Sequence, residues 1–428
     1  MAVLFPIFRA TAFALIVAAV APSWAADPLT LAEALHVAVS RSPQLQAQQA
    51  LAIAARGQAV AAGQLPDPVL KLGIDNLPVD GPDRGSLTRD FMTMRRIGVM
   101  QEIPHAEKRQ IRAEKFEREA ERIQAQRQQT LAGVQQGTAL AWLERYYAQA
   151  QRELLLQQLD ETRLQVQAAD VAFRTSRGSQ ADVFAARAAV ILQQDRLSQI
   201  DRQSRSAVLM LARWVGGDVA GRPSASPPNW QSTPLQGAVL SEHLERHPDL
   251  RVIRAEIDGA EADARLAQAN KKADISVEAS YAQRGSAFSN MLSIGVSIPL
   301  QWDQKNRQDR ELAAKLALVD EARARHEDML RKAEAEVGSL RNDWQTGKDR
   351  LVRFRDALIP AARQRTEAML TAYRTGQIDL AAGLLARRDE IDVRMQALNL
   401  EMETARFWAQ LNFLISEPHL FIPAKEQP

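Results

Sequence analysis

The side chains best suited to hold a metal in this chain are ten methionines and six histidines, since there is no cysteine. Met92, Met94 and Met100 share one face of an extended segment, and Met291 lies near the start of another. Thioether sulfur is a soft ligand that suits Cu(I), but methionine also fills irregular apolar space, and space filling is the reading adopted. His243 and His247 stand four apart beside Glu242 and Glu245, the spacing of a zinc site on a helix. Pro248 follows at once and keeps the two histidines off one regular helix, so no metal is expected there. The chain offers no Ser-His-Asp order, no glycine-rich phosphate loop and no clustered carboxylates of catalytic type. An enzyme is not expected, and neither is a cofactor.

The elements that carry these residues are mostly long helices. His105 to Thr175 contains no proline and as one helix would measure ~105 Å at the usual rise per residue. A second stretch of similar build covers Lys305 to Thr375. Within it Leu330, Val337, Trp344, Leu351 and Leu358 fall seven apart, with Leu340, Phe354 and Ala361 in a partner row. Leu159, Val166 and Phe173 keep the same spacing in the first stretch. Such seams require other helices to cover them.

Composition agrees: 46% of the 428 residues are apolar and only 5% aromatic. The formal net charge is +2 with both signs interspersed, so no nucleic-acid partner is expected. Residues 1–25 read as a signal peptide. Arg9 gives the positive start, Ala10 to Ala21 an apolar run too short to span a bilayer, and Ser23-Trp24-Ala25 a cleavage site. The lack of cysteine removes the acyl attachment site of a lipoprotein.

In chain order, Thr30 with Glu33 forms a capping box, and Ser42-Pro43 restarts a helix that fades at Gly63. Strands follow at about 69–77, where Leu70, Leu72 and Ile74 alternate with Lys71, Gly73 and Asp75, and at 91–103, ending at Pro104. Arg95 and Arg96 interrupt both faces of the second strand. A helical hairpin then occupies 105–215, and residues 216–240, rich in Gly, Pro and Ser, read as a linker. The pattern recurs. His247-Pro248-Asp249-Leu250 matches Ser42-Pro43-Gln44-Leu45, strands fall at 274–282 and 290–299, and a second hairpin covers 303–415 before a tail, 416–428. Arg174-Thr175 and Arg374-Thr375 mark the two reversals, 200 residues apart. The chain is thus a tandem duplication, 26–215 and 241–415, mainly α with a small β part.

Four strands of membrane-spanning length, greasy on one face and polar on the other, carry the signature of a transmembrane barrel. Four cannot close one, because the smallest barrels need about eight, and an open edge in lipid leaves backbone groups unpaired. Closure with identical copies is expected, three copies giving a twelve-stranded barrel with the helical hairpins continuing its wall. A soluble sheet packed on helices is the alternative.

The chain resembles the TolC-like outer-membrane efflux proteins over essentially all of its mature length. The resemblance rests on the duplication, on strand pairs flanked by helices, and on two turns. These are Arg177-Gly178-Ser179-Gln180-Ala181-Asp182-Val183-Phe184-Ala185-Ala186, and Gly376-Gln377-Ile378-Asp379-Leu380 followed by Leu384, Leu385 and Arg387. The run Pro66-Asp67-Pro68 to Asn76-Leu77-Pro78 is most similar to the branch that serves heavy-metal-cation pumps. The resemblance implies a homotrimer with a trimeric α-helical barrel below a 12-stranded transmembrane β-barrel in the outer membrane. It also implies a periplasmic adaptor and an inner-membrane pump of the RND type as partners.

On that resemblance Arg174, Thr175, Gly178, Asp182, Arg374, Thr375, Gly376 and Asp379 are the adaptor-docking tip residues. Gly178 and Gly376 also suit a left-handed turn, and Arg174 and Arg374 a helix C-terminus. Some family members close the tip with aspartate rings. The matching positions are Ala382 and Leu385, so closure here is expected to be hydrophobic. The expected function is a passive exit duct for metal cations or drugs in a tripartite efflux system. A type I protein-secretion duct, a soluble periplasmic coiled-coil scaffold and a helical hydrolase are the alternatives.

Overall fold

The computed structural model describes residues 27–233 and 244–414. The signal segment 1–25, the tail 416–428, and Glu242 and His243 lie outside the described residues. The elements run α1 (Leu31–Arg41), α2 (Pro43–Gly63), β1 (Val69–Asp75), β2 (Met94–Ile103), α3 (Ala106–Arg174), α4 (Gln180–Val215) and the short α5 (Gly217–Ala220). The second repeat adds α6 (Pro248–Ala269), β3 (Ile275–Gln283), β4 (Met291–Ser297), α7 (Gln308–Arg353), a π-helical turn (Phe354–Leu358), α8 (Ile359–Arg374) and α9 (Leu380–Asn412).

Local chemistry sets the helix starts. The Thr30 hydroxyl accepts from the Glu33 N–H and the Ser42 hydroxyl from the Leu45 N–H. His247 plays the part of Ser42 in the second repeat, its Nδ1 accepting from the Asp249 N–H at 3.2 Å. The expected second rod is not one α-helix. Pro360 lacks an N–H and would crowd the preceding turn, and the ladder widens there so that the Ile359 N–H reaches back to the Phe354 carbonyl.

The helices form a wall centred on α3. Its upper half carries α2 on one side, where Ala52 and Ala55 meet Ala120 and Ile123, and α6 on the other, through Lys115–Asp263 and Gln129–Asp249. Its lower half carries α4, through Arg152–Asp201, and α9, through Gln151–Asn399. Helix α7 extends the wall beyond α6 and α9, with Lys315 and Arg323 paired to Asp263 and Glu261. Shorter helices therefore stack end to end beside α3. The wall's outer columns expose apolar rows: Leu51, Ile53, Ile191, Leu192, Leu209 and Met210 on one edge, Leu316, Leu318 and Val352 on the other.

The principal core sits at mid-height, where Trp142, Leu143, Tyr147, Leu211, Trp344 and Trp408 converge. Three indole N–H groups pin the connecting segments: Trp142 to the Leu29 carbonyl, Trp344 to that of Trp230 and Trp408 to that of Ser232. The part of the expected linker up to Thr233 is thus packed against the core rather than free of it.

The sheet is antiparallel with order β1-β2-β3-β4, so the central β2–β3 pair joins the two repeats. Strand β2 starts at Met94 rather than residue 91, because the Asp90 carboxylate collects the N–H groups of Met92 and Thr93 into a turn. Strand β1 stops at Asp75, where Asn76 adopts a positive φ of 55°.

Candidate functional site

Two regions are positioned by this frame, the sheet at one end and the hairpin reversals at the other. The register puts Leu70, Leu72, Ile97, Val99, Tyr281, Leu292, Ile294 and Val296 on one face of the sheet. All are exposed, Leu292 and Ile294 by 73% and 74%. A face so apolar and so uncovered is an anomaly in water. The opposite face carries Lys71, Asp75, Arg96 and Glu278. Lys71 reaches Glu278 at 2.5 Å and Arg96 reaches Asp75 at 3.1 Å. Each long charged residue lies beside a glycine on the next strand: Lys71 by Gly98, Arg96 by Gly73 and Glu278 by Gly295. A Cβ at Gly98 would come within 2.7 Å of Ser280, so no larger residue fits there. The polar side chains can therefore lie along the wall. Met94, Met100 and Met291 share this face, while Met92 falls in the Asp90 turn, outside the strand. Among the described residues no group of three or more His, Asp or Glu is arranged to hold a metal. His247 is a helix cap, and burial keeps its imidazole below the usual pKa.

At the other end the chain reverses at Thr175–Ser179 and Thr375–Asp379. The residue in the left-handed region is Gly376 in the second turn but Ser176, not Gly178, in the first, with φ of 74° and 55°. Gly178 instead packs tightly, its missing Cβ falling 3.1 Å from that of Ala172. Arg174 pairs with Asp170 at 2.7 Å, and the Thr175 and Thr375 hydroxyls donate to carbonyls of the preceding turn. Asp182 completes a capping box with Ser179, and Asp379 accepts from the Ala382 N–H at 2.9 Å. Both carboxylates thus serve helix N-termini, where negative charge is stabilised. Ala169, Val183, Ala186 and Leu380 draw the two reversals together, and a shallow groove of about 610 Å³ runs between Ser176, Arg177, Asp182 and Asp379. Ala382 is half-buried, and Leu385 is 53% exposed beside a second groove bounded by Leu192, Leu384 and Arg388.

Sequence reading missed an ion-pair cluster on α9, two to four turns above the reversal. Glu390, 1% exposed, holds both Arg387 and Arg394, and Arg387 also meets Glu161 of α3. Asp392 takes Arg196 of α4, and Asp389 takes Arg365 of α8. The i,i+3 and i,i+4 spacing within α9 was visible in the sequence; the partners on three other helices were not.

The result is a helical wall carrying a four-stranded sheet, apolar on one face and ion-paired on the other. Comparison with known proteins agrees. Residues 239–417 match the family model "Outer membrane efflux protein". The chain is 24% identical over 399 residues to the cobalt-zinc-cadmium resistance protein CzcC of Cupriavidus metallidurans, covering 90% of this chain and 89% of that one. Its fold is similar to the outer-membrane channel OprN, with TM-score 0.75, 19% identity and 90% of each chain covered. The same holds for VceC of Vibrio cholerae, with TM-score 0.73, 19% identity and coverage of 90% and 95%. Residues 239–417 thus match the outer membrane efflux protein family, and the fold of the chain is that of the outer-membrane channels it resembles.

Proposed function

We propose that three copies of this chain close a twelve-stranded barrel and a continuous helical tube, the exit duct of a tripartite efflux system. The observation that carries this reading is the pair of open edges. Strands β1 and β4 lack neighbours on their outer sides, and the wall's apolar columns are covered by nothing else in the described chain. Unpaired strand edges in lipid cost several kcal/mol per backbone group, and identical subunits supply the missing partners on both sides at once. The uncovered apolar sheet face argues against a soluble periplasmic scaffold.

The hairpin reversals, with Arg174, Thr175, Gly178, Asp182, Arg374, Thr375, Gly376 and Asp379, form the end that docks on a periplasmic adaptor of an RND-type inner-membrane pump. Ala382 and Leu385 narrow that end by apolar contact, and the duct opens when its tips are engaged. The similarity to a cobalt-zinc-cadmium resistance protein over most of the chain supports metal cations as the cargo. A deletion strain tests this: sensitivity to cobalt, zinc and cadmium is expected, with drug tolerance and protein secretion unchanged. A secretion defect without metal sensitivity refutes the cargo. Arg174→Glu with Arg374→Glu is expected to abolish cross-linking to the adaptor while heat-resistant trimers persist, and unchanged cross-linking refutes the docking end.

A further inference from the structure

Arg95 and Arg96 are neighbours in sequence and opposites in surroundings. Arg96 is on the polar face, 3.1 Å from Asp75 and 3.9 Å from Glu278. Arg95 is on the apolar face, in register with Ile74 of β1 and Gln283 of β3. Among the described residues it has no hydrogen-bond or ion-pair partner, and its Nε is buried without an acceptor. A guanidinium facing hydrocarbon is costly at mid-depth and far less so near an interface.

Its row resolves the difficulty. Arg95 is the second residue of β2 and Gln283 the last of β3, next to the connections 76–93 and 284–290. The far ends of the same strands lead into the helices, so the connections mark the outer end of the sheet. Below Arg95 on its own face come Ile97 and Val99, beside Ala279 and Val277 of β3 and Leu292, Ile294 and Val296 of β4, before Gln101 and Ile103 end the strand. Tyr281, one row below Gln283, is an exposed aromatic of the kind that settles at headgroup depth. The row itself offers donors and no carboxylate: Ile74, Arg95 and Gln283. Of the other cations at this end, Arg284 donates to the Ser289 and Phe91 carbonyls, Arg89 is paired with Asp83, and Arg84 is exposed in the 76–93 connection, outside the sheet.

We propose that Arg95, assisted by Gln283, binds the phosphate of an anionic lipid headgroup in the outer leaflet of the outer membrane. A planar guanidinium matches phosphate through two parallel N–H donors, where an ammonium would act only as a point charge. The site faces the bilayer, involves neither pump nor adaptor, and stands whether or not the hairpin tips dock.

The test uses the purified full-length chain in detergent, with bound lipid counted by native mass measurement. Three probes are titrated: bisphosphorylated lipid A, the same lipid with its phosphates removed, and inorganic phosphate. Wild type is expected to bind the phosphorylated lipid at least tenfold more tightly than the dephosphorylated one. Arg95→Gln is expected to lose most of that difference, Arg95→Lys only part of it, and Gln283→Ala a smaller part. Equal binding of both lipids by wild type overturns the proposal without recourse to a variant. An unchanged Arg95→Gln also overturns it, and inorganic phosphate competing at the same concentration would make the site one for a free anion instead.

Discussion

Helix α3 runs 69 residues without a break, whereas its counterpart in the second repeat passes through a π-turn at Phe354–Leu358 before it reaches Arg374. The returning helices differ too. At matching positions, 200 residues apart, α4 carries Val190 and α9 carries the buried Glu390 with its two arginines. The matched positions are thus filled differently, by a half-buried valine on α4 and by a buried, ion-paired glutamate on a helix that packs beside the π-turn. Clefts flank the π-turn, between α8 and α9 on one side and against Trp230 and Lys348 on the other. The second hairpin is therefore expected to be the more deformable of the two, with packing more sensitive to salt and pH.

The largest effect is expected where the first hairpin meets the core. Trp142 is fully buried and donates to the Leu29 carbonyl, so Trp142→Ala should cost about 3–5 kcal/mol, read from denaturant unfolding. At the matched pair, Glu390→Ala leaves Arg394 without its carboxylate while Arg387 keeps Glu161, and should cost about 3 kcal/mol. Val190→Ala, at a half-buried site, should cost roughly 1 kcal/mol. If the two prove equal, the contrast between charge-held and apolar packing fails. Pro360→Ala restores an N–H donor; amides of residues 354–360 should gain hydrogen-exchange protection, with stability changed by about 1 kcal/mol or less. At the reversals, Gly376→Ala should cost about 1 kcal/mol because φ is positive there, while Ser176→Gly should be neutral to mildly stabilising.

The smallest expected effect concerns Glu401, which lines both clefts beside the π-turn and whose carboxyl is pushed above its usual value by burial. A carboxyl with a raised folded-state pKa contributes stability that is complete below its unfolded value near 4.5 and is lost as pH rises through the folded value. Wild type should therefore lose melting temperature on going from pH 4 toward 7 by slightly more than Glu401→Gln does. Identical slopes would remove Glu401 from the account.

Much of this architecture is legible in the residues because its periods are long and clean. A 200-residue echo from Arg174-Thr175 to Arg374-Thr375, heptads through Val337 and Trp344, and the alternation of Leu292, Ile294 and Val296 each reflect a face that must be buried or must meet lipid. The reversals were legible too, since capping needs an oxygen side chain at a fixed offset. The turn residue was harder. Gly178 read as the left-handed residue, but Ser176 takes that conformation and Gly178 answers to close packing against Ala172.

Local pattern is carried by neighbours in the chain, so it gave the unbroken first rod and the greasy strand faces, but not the π-turn that divides the second rod. Tertiary structure alone decided what depends on distant residues meeting. It placed β2 beside β3, brought Arg96 to Asp75 and Glu278 on the polar face while leaving Arg95 on the apolar one, and gathered Glu161, Arg196 and Arg365 around α9. An ion pair spanning some 200 residues leaves no period in the sequence. Its energy depends on a distance that exists only once the chain is folded.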